Sequence, residues 1–265
     1  MRNPDIDKGH SFDWGKTSDD YAKYRDIYPA ALYERLAALN IGVSGQKMLD
    51  LGTGTGVLPR NMHRYGARFT GVDIAERQID AARRLAAKDA MDIDFLTCAA
   101  EEMRFPDNTF DAVTACQCFI YFDKVRLLPV LTAILKKSCP LAVVSMNWLP
   151  DESRIAAESE RIILKHNPQW TGGGMRRFPP VQPDWAKAGP FAFTHGEAFE
   201  AGLEFTRESW HGRIRASRGV GASLIGDRLR AFEDEHWAML QECAPDRFSI
   251  PHYPTILLLE NRKGG

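Results

Sequence analysis

Hydrophobic positions in the first half of the chain follow two alternating patterns. Short apolar runs, typical of buried strands, occupy 48–51, 69–74, 93–97, 111–116 and 141–147. The stretches between them have helical content and include Val57–Tyr65, Glu76–Lys88 and Lys124–Lys137. In the second of these, Ile79, Ala82 and Leu85 recur at the helical period. Strands alternating with helices predict right-handed βαβ units and a parallel sheet.

The segments outside this alternation are less regular. Residues 1–16 predict irregular structure, and helices are expected from Ser18 to about Arg25 and from Ala30 to Leu39, after Pro29. A helix is expected at Asp151–His166. The Gly/Pro-rich stretch Thr171–Pro190 that follows predicts no regular element, and its length fits either an ordered lid or a mobile loop.

The C-terminal quarter predicts two more strands and a helix. A sixth strand is expected near Phe191–Phe199 and a helix at about Asp227–Cys243. The last strand falls within Ile250–Asn261 and is expected to begin only after Pro254, because proline cannot donate to a sheet ladder.

A glycine-rich turn follows the first predicted strand and is the most informative motif. Asp50 precedes Gly52, Gly54 and Gly56, and glycine lets a backbone approach a small molecule closely. A dinucleotide fingerprint needs its third glycine one position later, where Val57 stands. An acidic residue, Asp73, ends the next strand and is placed to accept hydrogen bonds from ribose hydroxyls. The pattern predicts a nucleoside-binding crevice.

This pattern resembles the class I S-adenosylmethionine-dependent methyltransferases. Their first motif is a strand ending in an acidic residue before x-G-x-G-x-G, as in Leu49–Gly56, and further blocks match at Cys98–Asp111, Asp111–Cys118 and Leu135–Val144. Ala99 stands where the family usually has Asp, and Ser138–Pro140 departs from the family's Lys-Pro-Gly-Gly turn. The resemblance implies an α/β fold: a Rossmann-like, doubly wound, mostly parallel seven-stranded sheet with an antiparallel last strand and a helical or loop cap.

The resemblance also implies a domain division and the cofactor S-adenosylmethionine. The expected segments are an N-terminal helical lid at 1–40, the cofactor-binding half of the core at 41–148, a cap insertion at 149–190 and the rest of the core at 191–265. The cofactor-binding residues that it implies are Asp50, Gly52, Thr53, Gly54, Gly56, Asp73, Ile74, Gln78, Ala100, Glu101, Gln117 and Tyr24. Among them, Asp50 supports the loop and the methionine side, Asp73 holds the ribose, and Gln117 lies beneath the methionine moiety.

The remaining cofactor contacts and the acceptor pocket are predicted less directly. Ile74 and Ala100 are expected to cover the adenine faces, with Glu101 at the adenine edge. The catalytic residues stay unknown, and the acceptor-pocket candidates are Tyr21, Tyr121, Trp210, His211 and Arg213. Tyr21 and Tyr24 equally suit a helix that packs on the core. Arg213 could bind a carboxylate or phosphate, or be solvated like Arg215 and Arg218.

Composition narrows the class of protein and leaves the acceptor open. The 265 residues, 44% hydrophobic with a net charge of −1, suit one α/β core and indicate neither a nucleic-acid nor a membrane partner. The N-terminus lacks a signal-like apolar run, so a cytoplasmic location is expected. The five cysteines form no disulfide framework, and Cys116 and Cys118, expected on one strand face, predict small buried hydrophobes rather than a metal site.

We therefore predict an enzyme that methylates a small molecule by in-line displacement, with oligomeric state and acceptor atom undetermined. Two alternatives remain. One is a non-catalytic cofactor-binding module, although the glycine loop and ribose acid are intact. The other is a nucleic-acid methyltransferase, although Gln117–Phe122 stands where base-amine enzymes carry Asn/Asp-Pro-Pro-Tyr/Trp.

Overall fold

A computed structural model describes residues 3–263, so the outermost two residues of the predicted segments 1–40 and 191–265 lie outside it. The chain forms two compact units. The core unit comprises Pro29–Met146, Pro179–Phe199 and Pro254–Gly265, and the helical unit comprises Met1–Tyr28, Asn147–Phe178 and Glu200–Tyr253. The division of the chain into four segments stays a prediction.

Strands and helices alternate as the sequence pattern predicts. The strands are β1 Lys47–Leu51, β2 Arg68–Asp73, β3 Ile93–Thr97, β4 Ala112–Cys116, β5 Pro140–Trp148, β6 Phe191–Ala198, β7 Ala201–Thr206 and β8 Arg247–Asn261. The helices are α1 Ser18–Tyr24, α2 Ala30–Ala38, α3 Val57–Met62, α4 Glu76–Lys88, α5 Lys124–Ile134, α6 Arg154–His166, α7 Asp184–Lys187, α8 Arg207–Arg215 and α9 Gly226–Cys243. Short 3₁₀ turns occur at Asp7–Gly9, Trp14–Thr17, His63–Tyr65, Ala100–Glu102, Phe119–Tyr121 and Pro150–Glu152.

The sheet has the predicted doubly wound order, β3-β2-β1-β4-β5-β8-β6. Strands β1 to β5 pair in parallel, and β8 pairs antiparallel with β6. The strand order reverses at β1. The chain passes from β1 to β2 and β3 on one side and then crosses over to β4 and β5 on the other side. Ligands of such sheets bind at this switch point, beyond the carboxyl ends of the strands. The loops after β1, β2 and β4 therefore define the place to look for a site.

The core unit is held by apolar side chains on both faces of the parallel strands. Four of the five residues of β1 and all five of β4 are buried, as expected of strands covered by helices on each side. Leu49, Leu51 and Val113 are completely buried in one cluster with Leu127 and Leu131 of α5. This packing fixes the ends of β1 and β4, from which the loops of the switch point leave.

The last strand corrects one prediction and adds a strand to the sheet. β8 begins at Arg247 rather than after Pro254, and its first half pairs with β7, which makes eight strands instead of seven. Pro251 and Pro254 are tolerated in β8 because they form hydrogen bonds through their carbonyl groups. These groups accept hydrogen bonds from Leu149 N and Phe199 N, at 2.9 and 3.1 Å. Neither contact needs the N–H that proline lacks.

The helical unit has its own apolar core. Trp210, Phe232, Leu240 and Ile250 are completely buried there, and Phe205 packs edge-on against Trp210 with ring centroids 4.9 Å apart. Helix α8 occupies the stretch 207–215, for which the sequence indicated no element. A capping box between Thr206 and Ser209 begins it.

Candidate functional site

The loop after β1 has a backbone that only glycine adopts readily. Gly52, Gly54 and Gly56 all have left-handed φ values, of 56°, 56° and 72°. A Cβ at Gly52 would lie 2.8 Å from the Cβ of Cys118, and one at Gly56 would lie 2.8 Å from Cζ of Phe95. Both conformation and packing therefore exclude side chains at these two positions.

The carboxylate of Asp73 joins the end of β2 to the glycine loop. Its Oδ2 accepts the backbone N–H of Gly54 at 2.9 Å, and its Oδ1 accepts that of Ala75 at 2.8 Å. Burial raises the pKa of Asp73 in spite of these bonds. Each carboxylate oxygen keeps a second lone pair. Asp73 can thus hold the loop and still accept two hydrogen bonds from a diol.

Asp50, inside β1, is a buried acid whose pKa lies near neutral pH. It is 2% exposed, and Thr114 of β4 donates a hydrogen bond to its Oδ1 at 2.6 Å. Burial raises the pKa of Asp50 to about 7, although the Thr114 bond acts in the opposite direction. A cation close to Asp50 would therefore shift its protonation at physiological pH.

Gln117 follows β4 in a conformation unusual for its residue type. Its φ is 63°, its backbone N–H donates to Val144 O at 2.8 Å, and its side-chain amide donates to Met146 O. Non-glycine residues in the left-handed region are strained and concentrate at functional sites. This turn also corrects the cysteine prediction: the strand ends at Cys116, so Cys118 lies beyond it, donating from Sγ to Leu51 O at 2.9 Å.

The other cofactor candidates of the core unit lie on the loops after β2 and β3 and on α4. Ile74 is 53% exposed directly after Asp73, whereas Ala100 and Gln78 are buried. Glu101 accepts the backbone N–H of Asp123 at 2.9 Å. An exposed isoleucine next to the Asp73 carboxylate offers an apolar face that a flat ring could cover. Thr53, also predicted, is buried in the glycine loop, where its N–H donates to Val72 O at 2.9 Å.

Of the acceptor candidates, Tyr121 belongs to the core unit and Tyr21 and Tyr24 to the helical unit. Tyr121 ends the 3₁₀ turn after β4 and is partly exposed. The guanidinium carbon of Arg25 lies over the ring of Tyr21, 4.7 Å from the ring centroid. Tyr24 donates its hydroxyl to Glu208 at 2.9 Å. The cofactor role of Tyr24 stays a prediction.

Trp210 and His211 belong to a hydrogen-bonded network of the helical unit. Ser159 donates to Ile155 O at 2.7 Å, so its Oγ acts as acceptor toward Trp210 Nε1 and His236 Nε2, both at 3.0 Å. His236 Nδ1 is then the acceptor of the 2.9 Å contact from His211 Nδ1. This assignment leaves a lone pair on Nε2 of His211, which is partly exposed.

The histidines of this network are neutral at physiological pH. Burial lowers the pKa of His211 to about 4, with Arg215 adding to the effect, and lowers that of His236 to about 3. Trp210 itself is completely buried, with its N–H bonded, in the apolar core. His211 is thus the member of the pair with an atom free to meet a ligand.

Arg213, two residues further along α8, is 2% exposed. Its guanidinium carbon lies 5.0 Å from the ring centroid of Trp148. The idea that it is solvated like its neighbours is therefore wrong, and Arg218 is also buried, at 7% exposure. Arg215 is half-buried and bound to Asp20.

Sequence reasoning missed two residues, Thr114 and His252. Thr114 is the hydrogen-bond partner of Asp50, and its signal was a single polar residue inside the apolar run of β4. His252 is completely buried on β8. Its signal was the period of two, since Ile250, His252, Pro254 and Ile256 all face inward.

Two kinds of feature are absent from the described residues: metal-binding clusters and membrane-spanning helices. Residues 3–263 contain no group of three or more His, Cys, Asp or Glu side chains arranged to hold a metal ion. Over the same residues, each helix is too short or too polar to cross a membrane.

Comparison with known proteins identifies the domain that carries the glycine loop. Residues 48–138 match a family described as "Methyltransferase domain". A ubiquinone biosynthesis O-methyltransferase from Hahella chejuensis is 24% identical over 180 residues, which cover 64% of this chain and 74% of the relative. One of the same name from Xanthomonas campestris is 25% identical over 51% of this chain and 57% of its own length. Another from Methylocella silvestris is 40% identical over 75 residues, 28% of this chain and 29% of the relative.

Solved structures agree on the fold. The YcgJ protein from Bacillus subtilis superposes with a TM-score of 0.53 at 18% identity, covering 89% of this chain and 100% of its own. The [4+2]-cyclase SpnF superposes with a TM-score of 0.53 at 19% identity, over 88% of this chain and 82% of its own. A cyclase among the neighbours shows that the fold by itself does not decide the chemistry.

Proposed function

We propose that the protein transfers the methyl group of S-adenosylmethionine to a small-molecule acceptor, which the match of residues 48–138 to a family described as "Methyltransferase domain" supports. The observation that carries this proposal is the hydrogen bond from Gly54 N to Asp73 Oδ2. It joins the glycine-rich loop to a carboxylate suited to a diol, at the switch point of a doubly wound sheet. That combination suits an adenosyl group.

The residues of the core unit fit the proposed cofactor. Asp73 would hold the ribose hydroxyls, and the exposed Ile74 would cover one adenine face. The left-handed φ values of Gly52, Gly54 and Gly56 give the loop the tight turn that would bring its backbone close to the nucleoside. Asp50, with a pKa of about 7, would favour a positively charged methionine moiety near it. Gln117, held in place by its bonds to β5, would lie beneath that moiety.

S-adenosylmethionine supplies a sulfonium-activated methyl group that needs no further activation by the protein. The protein's task is to bind, orient and exclude water, and orientation alone can account for several kcal/mol of a barrier (roughly 7–11 at best). A base is required only where the acceptor must lose a proton. His211, whose pKa is about 4, is a weak base at neutral pH, so its Nε2 would accept a hydrogen bond from an acceptor hydroxyl rather than take up its proton.

We extend the proposal to a hydroxyl oxygen as the acceptor atom, which the names of the three reported relatives favour. A hydroxyl group becomes a stronger nucleophile as its proton is withdrawn, so a side chain that accepts a hydrogen bond from it suits this chemistry. Tyr21 and Tyr121 remain proposed acceptor-pocket residues, whereas Trp210, completely buried with its N–H bonded to Ser159, offers no surface to an acceptor.

Calorimetry with S-adenosylmethionine and S-adenosylhomocysteine, followed by turnover assays on hydroxylated small molecules, tests this function. We expect both compounds to bind at one site per chain and the demethylated cofactor to accumulate with a suitable acceptor. Binding of both compounds without turnover on any acceptor would favour a non-catalytic module. Tight binding of a nicotinamide or flavin instead of either compound would refute the proposal.

A further inference from the structure

Three arginines within six residues, Arg213, Arg215 and Arg218, differ sharply in their partners. Arg215 donates from Nε to Asp20 Oδ2 at 2.6 Å and lies 3.3 Å from Glu233. Arg218 lies 3.4 Å from Asp7. Arg213 is as deeply buried as Arg218, yet none of the residues 3–263 supplies it with a carboxylate. The sequence gives no reason to distinguish these three residues, whereas in the structure Arg213 differs from the other two by its missing carboxylate partner.

Hydrogen-bonding groups of Arg213 are left without acceptors. Its Nε and Nη1 are buried and have no hydrogen-bond partner within the described part of the chain. Burial lowers the pKa of Arg213, and the neighbouring charge of Arg25 lowers it further. Two donors of a buried cation without partners cost several kcal/mol (about 1–3 per group). An anion at this place would remove that cost.

The packing of α8 holds Arg213 in place. A Cβ at the preceding residue, Gly212, would lie 2.3 Å from the ring of Tyr24, so the two helices α1 and α8 meet closely there. The guanidinium lies over Trp148, and Tyr21 and Tyr28 are among the groups that act electrostatically on it. The backbone of α8 is thus held close to α1 beside Arg213, and the guanidinium is stabilised over the ring of Trp148.

His252 adds a hydrogen-bond acceptor to the same unit. Its Nδ1 donates to Ile250 O at 2.8 Å, because a carbonyl oxygen can only accept. The lone pair of the neutral ring is thus on Nε2, which is buried and unpartnered among residues 3–263. Burial lowers the pKa of His252 to about 4, and Arg213 and Arg25 contribute to that lowering. The ring is therefore neutral and electrostatically coupled to Arg213.

We propose that the helical unit binds a small-molecule anion, a carboxylate or a phosphate monoester, through the guanidinium of Arg213, and that His252 Nε2 accepts a hydrogen bond from a hydroxyl or amino group of the same ligand. The planar fork matches either anion with two parallel bonds, from Nε with Nη2 or from Nη1 with Nη2, so each of the two unpartnered atoms can take part. The site stands on residues of the helical unit alone, so it does not depend on the methyl-transfer proposal. The ligand is the methyl acceptor or an effector.

Arginine-resolved NMR and calorimetry on the full chain test the site. Benzoate, 4-hydroxybenzoate and phenyl phosphate serve as anionic probes, and benzamide serves as the matched neutral probe. We expect at least one anion to bind and to move the Nε–Hε resonance of Arg213, while benzamide binds at least about ten-fold more weakly. A hydroxylated anion is expected to bind more tightly than its parent, and His252→Phe should abolish this difference.

Variants separate the site from adventitious anion binding. Arg213→Met should weaken anion binding at least about ten-fold, and Arg213→Lys should restore part of it. The control Arg230→Gln removes an exposed arginine of the same unit, paired only with Asp227 three residues before it, and should change nothing. Where Arg213→Met does not fold, the Arg213 resonance of the wild-type protein decides.

Two results would overturn the proposal: no response of the Arg213 resonance to any anion at about 10 mM, or equal binding by the wild type and Arg213→Met. Methylation of the bound anion identifies it as the acceptor, and binding without methylation identifies an effector. If the protein binds the anion but never turns over S-adenosylmethionine, the result counts against the methyl-transfer proposal and does not affect the anion-site proposal.

Discussion

The backbone N–H of Gly54 donates to Oδ2 of Asp73 at 2.9 Å, so one carboxylate both shapes the glycine loop and presents the proposed ribose-binding oxygens. Asp73→Ala should therefore lower cofactor affinity for two reasons: the glycine loop loses a hydrogen bond that shapes it, and the ribose loses its proposed acceptors. Each hydrogen bond to a charged group contributes roughly 1.5–3 kcal/mol, which corresponds to a loss of about ten- to 150-fold per bond. Calorimetry with S-adenosylhomocysteine measures it.

The matched control is Asp94→Ala, which removes an exposed carboxylate on the neighbouring strand β3. It should leave the dissociation constant unchanged. Unaltered affinity in Asp73→Ala would show that the ribose is held elsewhere.

A second prediction concerns Gly56, where φ is 72° and an added Cβ would meet Phe95 at 2.8 Å. Gly56→Ala should lower the free energy of unfolding by about 1–2 kcal/mol for the backbone and a further ~1–3 for the overpacking. Gly45→Ala is the control, since its φ is 87° but no atom lies within 4 Å of the added Cβ. It should show the backbone cost alone in urea unfolding.

The double variant Gly56→Ala with Phe95→Leu tests the packing part of this argument. It should be less destabilised than the sum of the two single variants, because the smaller side chain makes room for the methyl group. Strict additivity would mean that the Phe95 contact is not the cause.

The pKa of about 7 at Asp50 gives a third prediction. Between about pH 4 and pH 7 the native state holds a proton that the unfolded state has released, so this group's stabilisation is complete below pH 4 and is lost as the pH rises to 7. The wild type should lose about 1.4 kcal/mol per pH unit in this range relative to Asp50→Asn, and nothing further above it.

The same group should report on the proposed cofactor. If a positively charged methionine moiety lies near Asp50, binding at pH 7 should release up to about half a proton, because a group with a pKa of about 7 is half protonated there. Calorimetry in buffers of different ionisation enthalpy detects this release. The release should vanish in Asp50→Asn. Proton uptake, or release that persists in the variant, would contradict the role given to Asp50.

The sequence predicts the site best where its constraints are local. The glycine loop and Asp73 lie within one βαβ unit, and their spacing alone predicts their roles. The partners of Arg215 and Arg218 are Asp20 and Asp7, roughly two hundred residues away in the chain, so no local pattern distinguishes these arginines from Arg213. The fold was likewise predictable through its alternating strands and helices.

The start of β8 illustrates what local rules miss. Prolines predict a strand boundary because they lack a donor, but Pro251 and Pro254 serve as acceptors, and only the tertiary pairing reveals this. Strand β7 was missed because only Phe205 of its six residues is buried, so its apolar pattern is weak.

The buried histidines give a fourth prediction, opposite in sign to that for Asp50. Their pKa values in the native state, about 4 for His211 and about 3 for His236, lie below the usual 6.5. The unfolded state therefore binds more protons below about pH 6.5, and stability falls with falling pH at about 1.4 kcal/mol per unit for each histidine. His236→Gln keeps an amide donor for Ser159 and should make this slope shallower by one proton.

Urea unfolding at several pH values between about 5 and 6.5 measures the slope. His63→Gln, which alters a partly exposed histidine of the core unit, is the control and should leave the slope close to that of the wild type. An unchanged slope in His236→Gln would show that the His236 ring is not held neutral by burial.

The contrast between Arg213 and Arg218 gives the last prediction. Both are buried, but only Arg218 has a carboxylate, from Asp7, which is itself 2% exposed. Arg218→Met leaves that carboxylate buried without its cation and should lower the free energy of unfolding by about 3–5 kcal/mol. Arg213→Met removes an unpaired buried charge and should raise it by about 1–2 kcal/mol, since the lost contact with Trp148 offsets only part of the gain. Opposite signs in urea unfolding without ligand would confirm that the fold keeps Arg213 at a cost to its own stability, as expected of a binding residue. Equal destabilisation would instead make Arg213 a structural residue.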